Sequence, residues 1–171
     1  MPISTTPVDC VNPGKDMTLY YNTGSCAVPV WVEHLGVVGD LQLEDTDDEE
    51  EVSRRRSAYN IKEFSPGMQT VSISGQQITD FNYQGNRYIN ASKKGGSPQD
   101  FLILTSPLTV VNAYGYRGKF YNFVRSVSGP MQGEQEQTFN LKPAACADCH
   151  VRAVLVSVSG TAADFDLTSL T

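Results

Sequence analysis

Short apolar runs separated by turn residues are the feature that most restricts how this sequence can fold. Val, Ile, Tyr and Phe dominate the runs, and Gly, Pro, Asn and Ser interrupt them throughout the chain. Residues 37–43 alternate, with apolar side chains on one face of a predicted strand and Asp40 and Gln42 on the other. The pattern predicts a mainly β fold, a two-sheet β-sandwich or barrel with one short helix and long loops.

The positions of the runs predict the individual elements. Strands are expected at residues 17–22, 30–35, 37–43, 70–75, 101–105, 119–128, 136–141 and 151–159. Residues 101–105 (FLILT) are apolar on both faces, which predicts a central strand. The helix is expected at residues 84–94, where Gly95 and Gly96 end it, and GYRG at residues 115–118 predicts a hairpin turn.

Length and charge exclude several classes of protein. With 171 residues the chain has room for one domain, and its net charge of −6 argues against a protein that binds nucleic acid by neutralising phosphates. Eight of the nineteen acidic residues lie between Asp40 and Glu51, so the acidity is local. No stretch approaches the roughly 20 apolar residues of a membrane helix, so no membrane is expected as a partner. Residues 1–13 show no export signal and predict a loosely held arm.

Four cysteines raise the question of a metal or redox site: Cys10, Cys26, Cys146 and Cys149. Without an export signal they are expected to be free thiols. CADCH, residues 146–150, fits the attachment motif of a c-type haem, but no second axial ligand is evident. The alternatives are a zinc site at Cys146 and Cys149, completed by Cys10, Cys26 or His34, and a Cys146–Cys149 disulfide or redox pair. Because one C-x-x-C pair is half of a typical zinc motif, unpaired structural thiols are favoured, and no metal or cofactor is expected.

The sequence predicts no enzyme. Its two histidines, His34 and His150, do not accompany a Ser or Cys nucleophile in a recognisable motif, and the sequence contains no glycine-rich phosphate loop. The carboxylates of residues 44–51 are contiguous, so they do not present an acid and a base from separate rigid elements. They also lack the glycine and the ligand spacing of a calcium loop.

The order of several motifs resembles the major tail tube proteins of long-tailed bacteriophages and related phage tail-like particles. Tyr-Asn-Thr-Gly at residues 21–24 precedes Pro-Val-Trp-Val-Glu at residues 29–33, and an alternating strand then leads into the charged segment. The later stretches 65–75 and 115–144, the second of which includes Leu-Lys-Pro at residues 141–143, resemble the later strands of the family. The resemblance covers about residues 14–144.

The resemblance implies a β domain at residues 14–144, with a charged inter-ring loop at 44–58, and a C-terminal extension at 145–171 that carries one strand. It implies a structural subunit that self-assembles into stacked, commonly hexameric rings, which form the conduit for DNA delivery into the host. The implied partners are further copies of the chain, other tail proteins such as the tape measure and the tail terminator, and double-stranded DNA in transit without specific binding. The implied location is the virion tail, assembled in the host cytoplasm.

In this family the long loop reaches the adjacent ring, which implies a subunit interface in the charged segment. Its acids come first and its arginines last, and guanidinium groups fix register through paired contacts with carboxylates. The implied interface residues are Glu44, Asp45, Asp47, Asp48, Glu49, Glu50, Glu51, Arg54, Arg55 and Arg56. A DNA channel should not attract phosphate, and Asp40 and Gln42 are expected to face its lumen. A solvated loop without a partner is the alternative for residues 45–51.

Two other classes of protein remain open. A β-sandwich binding or adhesion module for carbohydrate or protein would be a monomer with exposed aromatic side chains on one flat face. The candidate side chains are Tyr83, Tyr88, Tyr114, Tyr116 and Tyr121. A small metal-binding protein would use Cys146 and Cys149 and would lose its fold when a chelator removes the metal.

Overall fold

The computed structural model describes residues 17–51, 64–93, 95–129, 133–145 and 148–164. Within these ranges the chain forms nine strands and one helix, so the prediction of a mainly β fold with one short helix is confirmed. In chain order the elements are β1 (Thr18–Asn22), β2 (Trp31–Glu33), β3 (Val37–Glu51), β4 (Phe64–Ile78), α1 (Gln84–Ala91), β5 (Gln99–Leu104), β6 (Tyr114–Ser128), β7 (Glu136–Pro143), β8 (Arg152–Val158) and β9 (Thr161–Asp164).

The strands form one continuous antiparallel sheet, and the long strand β6 connects its two halves. The first part of β6 pairs with β5 on one side and β8 on the other, which gives the order β2-β1-β5-β6-β8-β9. From Phe120 onward β6 pairs instead with β7, which continues to β4 and β3. A bulge between Asn122 and Val124 lies in this second part, where it bends the strand and increases its twist. The two predicted sheets are therefore two halves of one sheet.

Two apolar clusters lie on opposite faces of β5, the strand that was predicted to be central. Phe101 and Ile103 point into the larger cluster, which also contains Ile73 and Phe120, whereas Leu102 points into the smaller one. All five of these side chains are 0% exposed. Burial of a large apolar side chain contributes about 1.5–3 kcal/mol, so β5 contributes to stability on both faces.

The predicted turn at residues 115–118 is wrong, because these residues lie inside β6. The glycines allow neighbouring backbones to approach closely. A Cβ on Gly115 would lie 1.8 Å from the carbonyl oxygen of Ile103, and Gly118 has a φ of +150° beside the backbone of Val151. The glycines that suggested a turn are therefore required by close packing between β6 and its neighbours.

The acidic segment of residues 44–51 is a strand, and the predicted loop is wrong for these residues. Strand β3 continues eight residues beyond its predicted end, from Glu44 to Glu51, and pairs with the equally extended β4. Its partners include Val71 and Thr70, which are β-branched and favour extended backbone. Pairing supplies hydrogen bonds to the backbone, while the side chains of Glu44, Asp45, Asp47 and Asp48 are exposed to solvent. Residues 52–58 lie outside the described residues.

The C-terminal extension forms two strands, where one was predicted. Strand β8 pairs with the beginning of β6 in the same chain, and β9 then pairs with β8. Gly160, with a φ of +83°, lies in the turn between them. The second strand, Thr161–Asp164, is short and does not alternate clearly, so its sequence carries little strand signal.

The helix α1 covers one end of the larger cluster and ends at Ala91, three residues before its predicted end. Ile89 is fully buried, and the helix approaches His34 so closely that a Cβ on Gly85 would lie 2.3 Å from the imidazole Nδ1. The His34 Nδ1 accepts a hydrogen bond from the Gly36 N–H, so Nε2 carries the proton and donates to Gln77 at 3.0 Å.

In the described part of the chain, no helix has the length and apolar character to span a membrane.

Candidate functional site

The acidic half of β3 and its partner form a two-stranded ribbon, defined here as residues 44–51 and 64–72. Strand β7 pairs with β4 only over Ile73–Ile78, so it does not support the ribbon. At about 3.4 Å per residue the eight residues of β3 span about 25 Å. The side chains of Asp45, Asp47 and Asp48 are exposed. The chain thus presents a row of carboxylates on a long edge strand.

A buried tyrosine holds the base of the ribbon against the rest of the fold. The Tyr116 hydroxyl donates a short hydrogen bond to Asp45, and the Gln69 amide donates to the other Asp45 oxygen at 2.7 Å. Gln69 also lies 3.2 Å from the Tyr116 oxygen. Burial, followed by the hydrogen bond to Asp45, raises the pKa of Tyr116, so the phenol stays protonated and can donate. The three side chains connect β3, β4 and β6.

A polar face lies on the half-sheet that carries the ribbon. Gln42, Ser74, Asn140 and Val124 follow one another across β3, β4, β7 and β6 in one row. Together with neighbouring residues they line a shallow cleft of about 540 Å³. Among the described residues that line this cleft, Asp40 is the only charged one. The cleft is therefore mostly polar, and its one formal charge is negative, whereas exposed Glu136 and Lys142 lie farther along β7.

The predicted site residues fall into three groups. Asp40 and Gln42 lie together on the polar face and are exposed. The acids from Glu44 to Glu51 lie in the ribbon. Arg54, Arg55 and Arg56 lie outside the described residues. Sequence reasoning named Tyr116 only as a candidate for a binding face and missed its contact with Asp45, and it missed Gln69 altogether, because nothing in their local pattern shows that distant strands bring them to Asp45.

The cysteines were predicted to be unpaired, and for two of them this is wrong. Cys26 and Cys149 form a disulfide, with their Cα atoms 6.0 Å apart, within the usual range for such bonds. Cys26 lies in the turn after β1, which Asn22 organises by accepting hydrogen bonds from the backbone of Gly24 and Val30. The partner of Cys149 is therefore neither Cys146 nor a haem, and Cys146 and Cys10 lie outside the described residues.

The five tyrosines proposed for a binding module do not form one exposed face. Tyr116 is 2% exposed in the larger cluster. Tyr88 and Tyr114 are partly buried against the same cluster. Tyr83 precedes α1, and Tyr121 lies on β6 beside Phe123. The aromatic platform that a carbohydrate-binding module requires is thus not built from these residues.

Comparison with known proteins identifies the fold. No protein-family model matches the sequence, and no curated protein matches it. The structure is similar to a chain in the tail of an empty gene transfer agent (GTA) particle, refined with C6 symmetry, with a TM-score of 0.59 and 16% identity over 78% of this chain and 95% of that one. A chain in the virion of the native particle gives a TM-score of 0.55 and 15% identity, over 80% and 97% of the two chains.

The SPP1 tail tube, solved by solid-state NMR and cryo-EM, gives a TM-score of 0.56 and 17% identity over 76% of this chain and 74% of that one. The chain has the tail-tube fold. The fold expected from the motifs at residues 19–43 and 115–144 is confirmed by structures that share little sequence with it. Three features of this chain lie on that fold: the acidic ribbon, the polar face and the disulfide-linked extension.

Proposed function

We propose that this chain is the structural subunit of a tail tube, and that it assembles into stacked hexameric rings around a channel for double-stranded DNA. The observation that carries the proposal is the tail-tube fold, together with the C6 symmetry of a similar tail. The role is structural and non-enzymatic. Its location is the tail of a virion or of a related particle, assembled in the host cytoplasm, where the tape measure and the tail terminator are further partners.

The long unpaired edge of β3 is a surface through which copies of the chain could assemble, by strand addition or by side-chain contact along the edge. Strand β3 runs for fifteen residues and, in the described chain, pairs only with β4, so its other edge has no partner. Open edges of this length invite contact with other chains, and monomeric proteins usually cover or blunt them. A tube subunit needs such an edge, because each copy must contact copies in the adjacent ring.

The charge of this edge favours a contact between two different surfaces. Two copies that met through their acidic edges would bring Asp47 and Asp48 of each close to those of the other, and the like charges would repel. A symmetric dimer is therefore disfavoured, whereas an edge that meets a basic surface is favoured. Contacts between different surfaces generate rings and filaments. The arginines at residues 54–56 are the basic group that we assign to this contact between rings.

The charges around the cleft on the polar face are those expected of a channel lining for DNA. Basic groups that face a channel would add affinity for phosphates and slow the passage of DNA. The described residues lining the cleft include Asp40 and amide or hydroxyl side chains such as Gln42 and Asn140, and no Lys or Arg. We assign this cleft, with Asp40 and Gln42, to the lumen. There it would repel the DNA backbone without binding bases.

Electron microscopy of the purified protein at increasing concentration tests assembly. We expect rings or hollow tubes of six-fold symmetry, and a protein that remains a monomer even with preformed tube ends would contradict the proposal. The double variant Asp47→Asn/Asp48→Asn should assemble more slowly, and its assembly should depend less on salt. Glu134→Gln/Glu136→Gln, which removes two exposed acids outside the ribbon, is the matched control. Equal slowing in both variants would refute the role of the ribbon.

The assignment of the lumen has its own test. Tubes of Gln42→Lys would carry a ring of basic groups in the channel and should retain DNA at low salt, with retention lost as salt rises. Thr109→Lys, on an exposed loop, adds the same charge elsewhere. If both variants retained DNA equally, or if neither did, Gln42 would not face the lumen.

A further inference from the structure

A second cluster of reactive side chains lies around the disulfide. Cys26, Asp100 and Cys149 come from three different parts of the chain, and one oxygen or sulfur atom of each lies within 4.8 Å of the others. Asp100 belongs to the central strand β5, and Cys149 is 2% exposed. The Lys119 N–H donates to the Cys149 carbonyl at 3.1 Å and fixes that part of the extension on β6. Asp100 is thus held by β5, Cys149 by its hydrogen bond to β6, and Cys26 by the turn that Asn22 organises.

The Asp100 carboxylate is only partly satisfied by the described residues. Asn22 donates to Oδ2 at 2.8 Å, whereas Oδ1 is buried without a hydrogen-bond partner. Burial raises the pKa of Asp100, and the hydrogen bond from Asn22 and the charge of Arg117 act in the opposite direction. A buried carboxylate oxygen without a partner is costly. A cation bound by the carboxylate would offset part of that cost.

The separation of the Cys149 sulfur and the Asp100 carboxylate fits shared coordination of one ion. The Cys149 Sγ lies 3.6 Å from Asp100 Oδ2. Two ligands of one tetrahedral zinc, with bonds of about 2.3 Å to sulfur and about 2.0 Å to oxygen, lie about 3.5 Å apart. Cys26 and Asp100 line a cleft of about 510 Å³ that exposed Asp148 also lines, so solvent can supply a fourth ligand.

We propose that Cys26, Cys149 and Asp100 form a zinc site when the disulfide is reduced. Two molecules of a thiol reductant give up two electrons and two protons to the disulfide, which yields two cysteine thiols and one oxidised reductant. Zinc then binds both thiolates and the carboxylate, with water as fourth ligand, and two protons are released. The three anionic ligands leave the site with one negative charge, which the nearby Lys119 and Arg117 offset. Either chemistry joins the C-terminal extension to the turn after β1, so the link persists in both oxidising and reducing surroundings.

Metal binding by a protein with no other cysteines tests the proposal. The background Cys10→Ser/Cys146→Ser keeps only Cys26 and Cys149. After reduction with a phosphine and removal of oxygen, this protein should bind one Co²⁺ with the visible spectrum of tetrahedral thiolate coordination, and zinc should displace it. The oxidised protein should not bind. One-to-one binding by the oxidised form, or no binding by the reduced form, would overturn the proposal.

Variants test the role of the carboxylate. Asp100→Asn should lower zinc affinity at least about tenfold, since even residues that only orient metal ligands cost 10–100-fold. Asp148→Asn, at the rim of the same cleft, is the control and should bind as the parent does. An unchanged affinity in Asp100→Asn, or an equal loss in both, would overturn the three-ligand site.

A second measurement does not depend on how any variant of Asp100 folds. In the reduced background protein, zinc should protect Cys26 and Cys149 from alkylation, measured by mass spectrometry, and a chelator should abolish the protection. Alkylation at the same rate with and without zinc would overturn the proposal. The result is independent of whether the protein forms tubes.

Discussion

Replacing Tyr116 by Phe removes one hydroxyl group at the point where the acidic ribbon joins the rest of the fold. The ring is 2% exposed in the larger cluster, and Phe keeps its packing. The lost group donates to Asp45 and lies 3.2 Å from the Gln69 amide nitrogen. We therefore expect the substitution to loosen the ribbon while leaving the apolar clusters intact.

The expected magnitude follows from the partners. A hydrogen bond to a charged group contributes about 1.5–3 kcal/mol, and the exposure of Asp45 reduces this by solvent screening. We expect Tyr116→Phe to lower the free energy of unfolding by about 1–2 kcal/mol. For a chain of this size, that corresponds to a fall of about 2–6 °C in Tm.

A double-mutant cycle with Asp45→Ala isolates the contact, using urea unfolding of the wild type, both single variants and the double variant. The coupling energy should be about 1 kcal/mol or more. Hydrogen exchange should also accelerate at residues 44–51 in Tyr116→Phe. Two controls are available: Tyr121→Phe removes a hydroxyl elsewhere on β6, and Asp47→Ala removes a neighbouring acid of the ribbon that faces Gln69.

A coupling energy near zero would refute the stabilising role of the Tyr116–Asp45 hydrogen bond, because it would mean that the two residues act independently. Exchange that accelerates evenly over all strands would also refute it, since that pattern indicates a loss of global stability. The same variant then tests assembly. If the Tyr116–Asp45 hydrogen bond orients the ribbon for contact with the next ring, tubes of Tyr116→Phe should form more slowly than tubes of Tyr121→Phe.

Three further predictions concern the interior and the disulfide. Burial lowers the pKa of His34 from its ordinary value of 6.5, so the unfolded chain binds the proton more readily than the folded chain. The contribution of His34 to stability should be complete above about pH 6.5 and should fall as the pH drops. Tm measured over a range of pH should show this fall in the wild type, and His34→Gln should remove it. Gly85→Ala places a Cβ 2.3 Å from His34 and should cost about 1–3 kcal/mol in urea unfolding, and an unchanged stability would mean that α1 does not pack as described. The disulfide joins residues 123 positions apart, so it restricts the unfolded chain strongly. Reduction in the presence of a chelator should lower the free energy of unfolding by about 3–5 kcal/mol. The stability of Cys26→Ser should not respond to the reductant.

Much of the fold could be predicted from the sequence because its signals are local. Residues 101–105 are apolar on both faces, which only a strand buried on both sides can accommodate, and β5 lies there. The alternation at residues 37–43 correctly separated Asp40 and Gln42 from the core side of β3. Tail-tube motifs supplied the arrangement, which alternation alone does not determine.

The errors have a common cause in contacts between distant parts of the chain. Residues 44–51 have little apolar character, and they are extended because β4 pairs with them. Cys26 and Cys149 are 123 residues apart, and only the packing of the extension on β6 brings them together. The Tyr116–Asp45 hydrogen bond likewise joins residues separated by 71 positions. No local pattern encodes these pairs.

The ordered state of the ribbon has a consequence for assembly that a loop would not have. Fixing the backbone of one residue costs about 1–2 kcal/mol, so a flexible segment of this length would lose much of its contact energy when it docked on a neighbour. Pairing with β4 and the contact between Asp45 and Tyr116 order residues 44–51 before any partner is present. A preordered acidic edge can therefore use weak, screened charge contacts for register, because little of their energy is needed to order the chain.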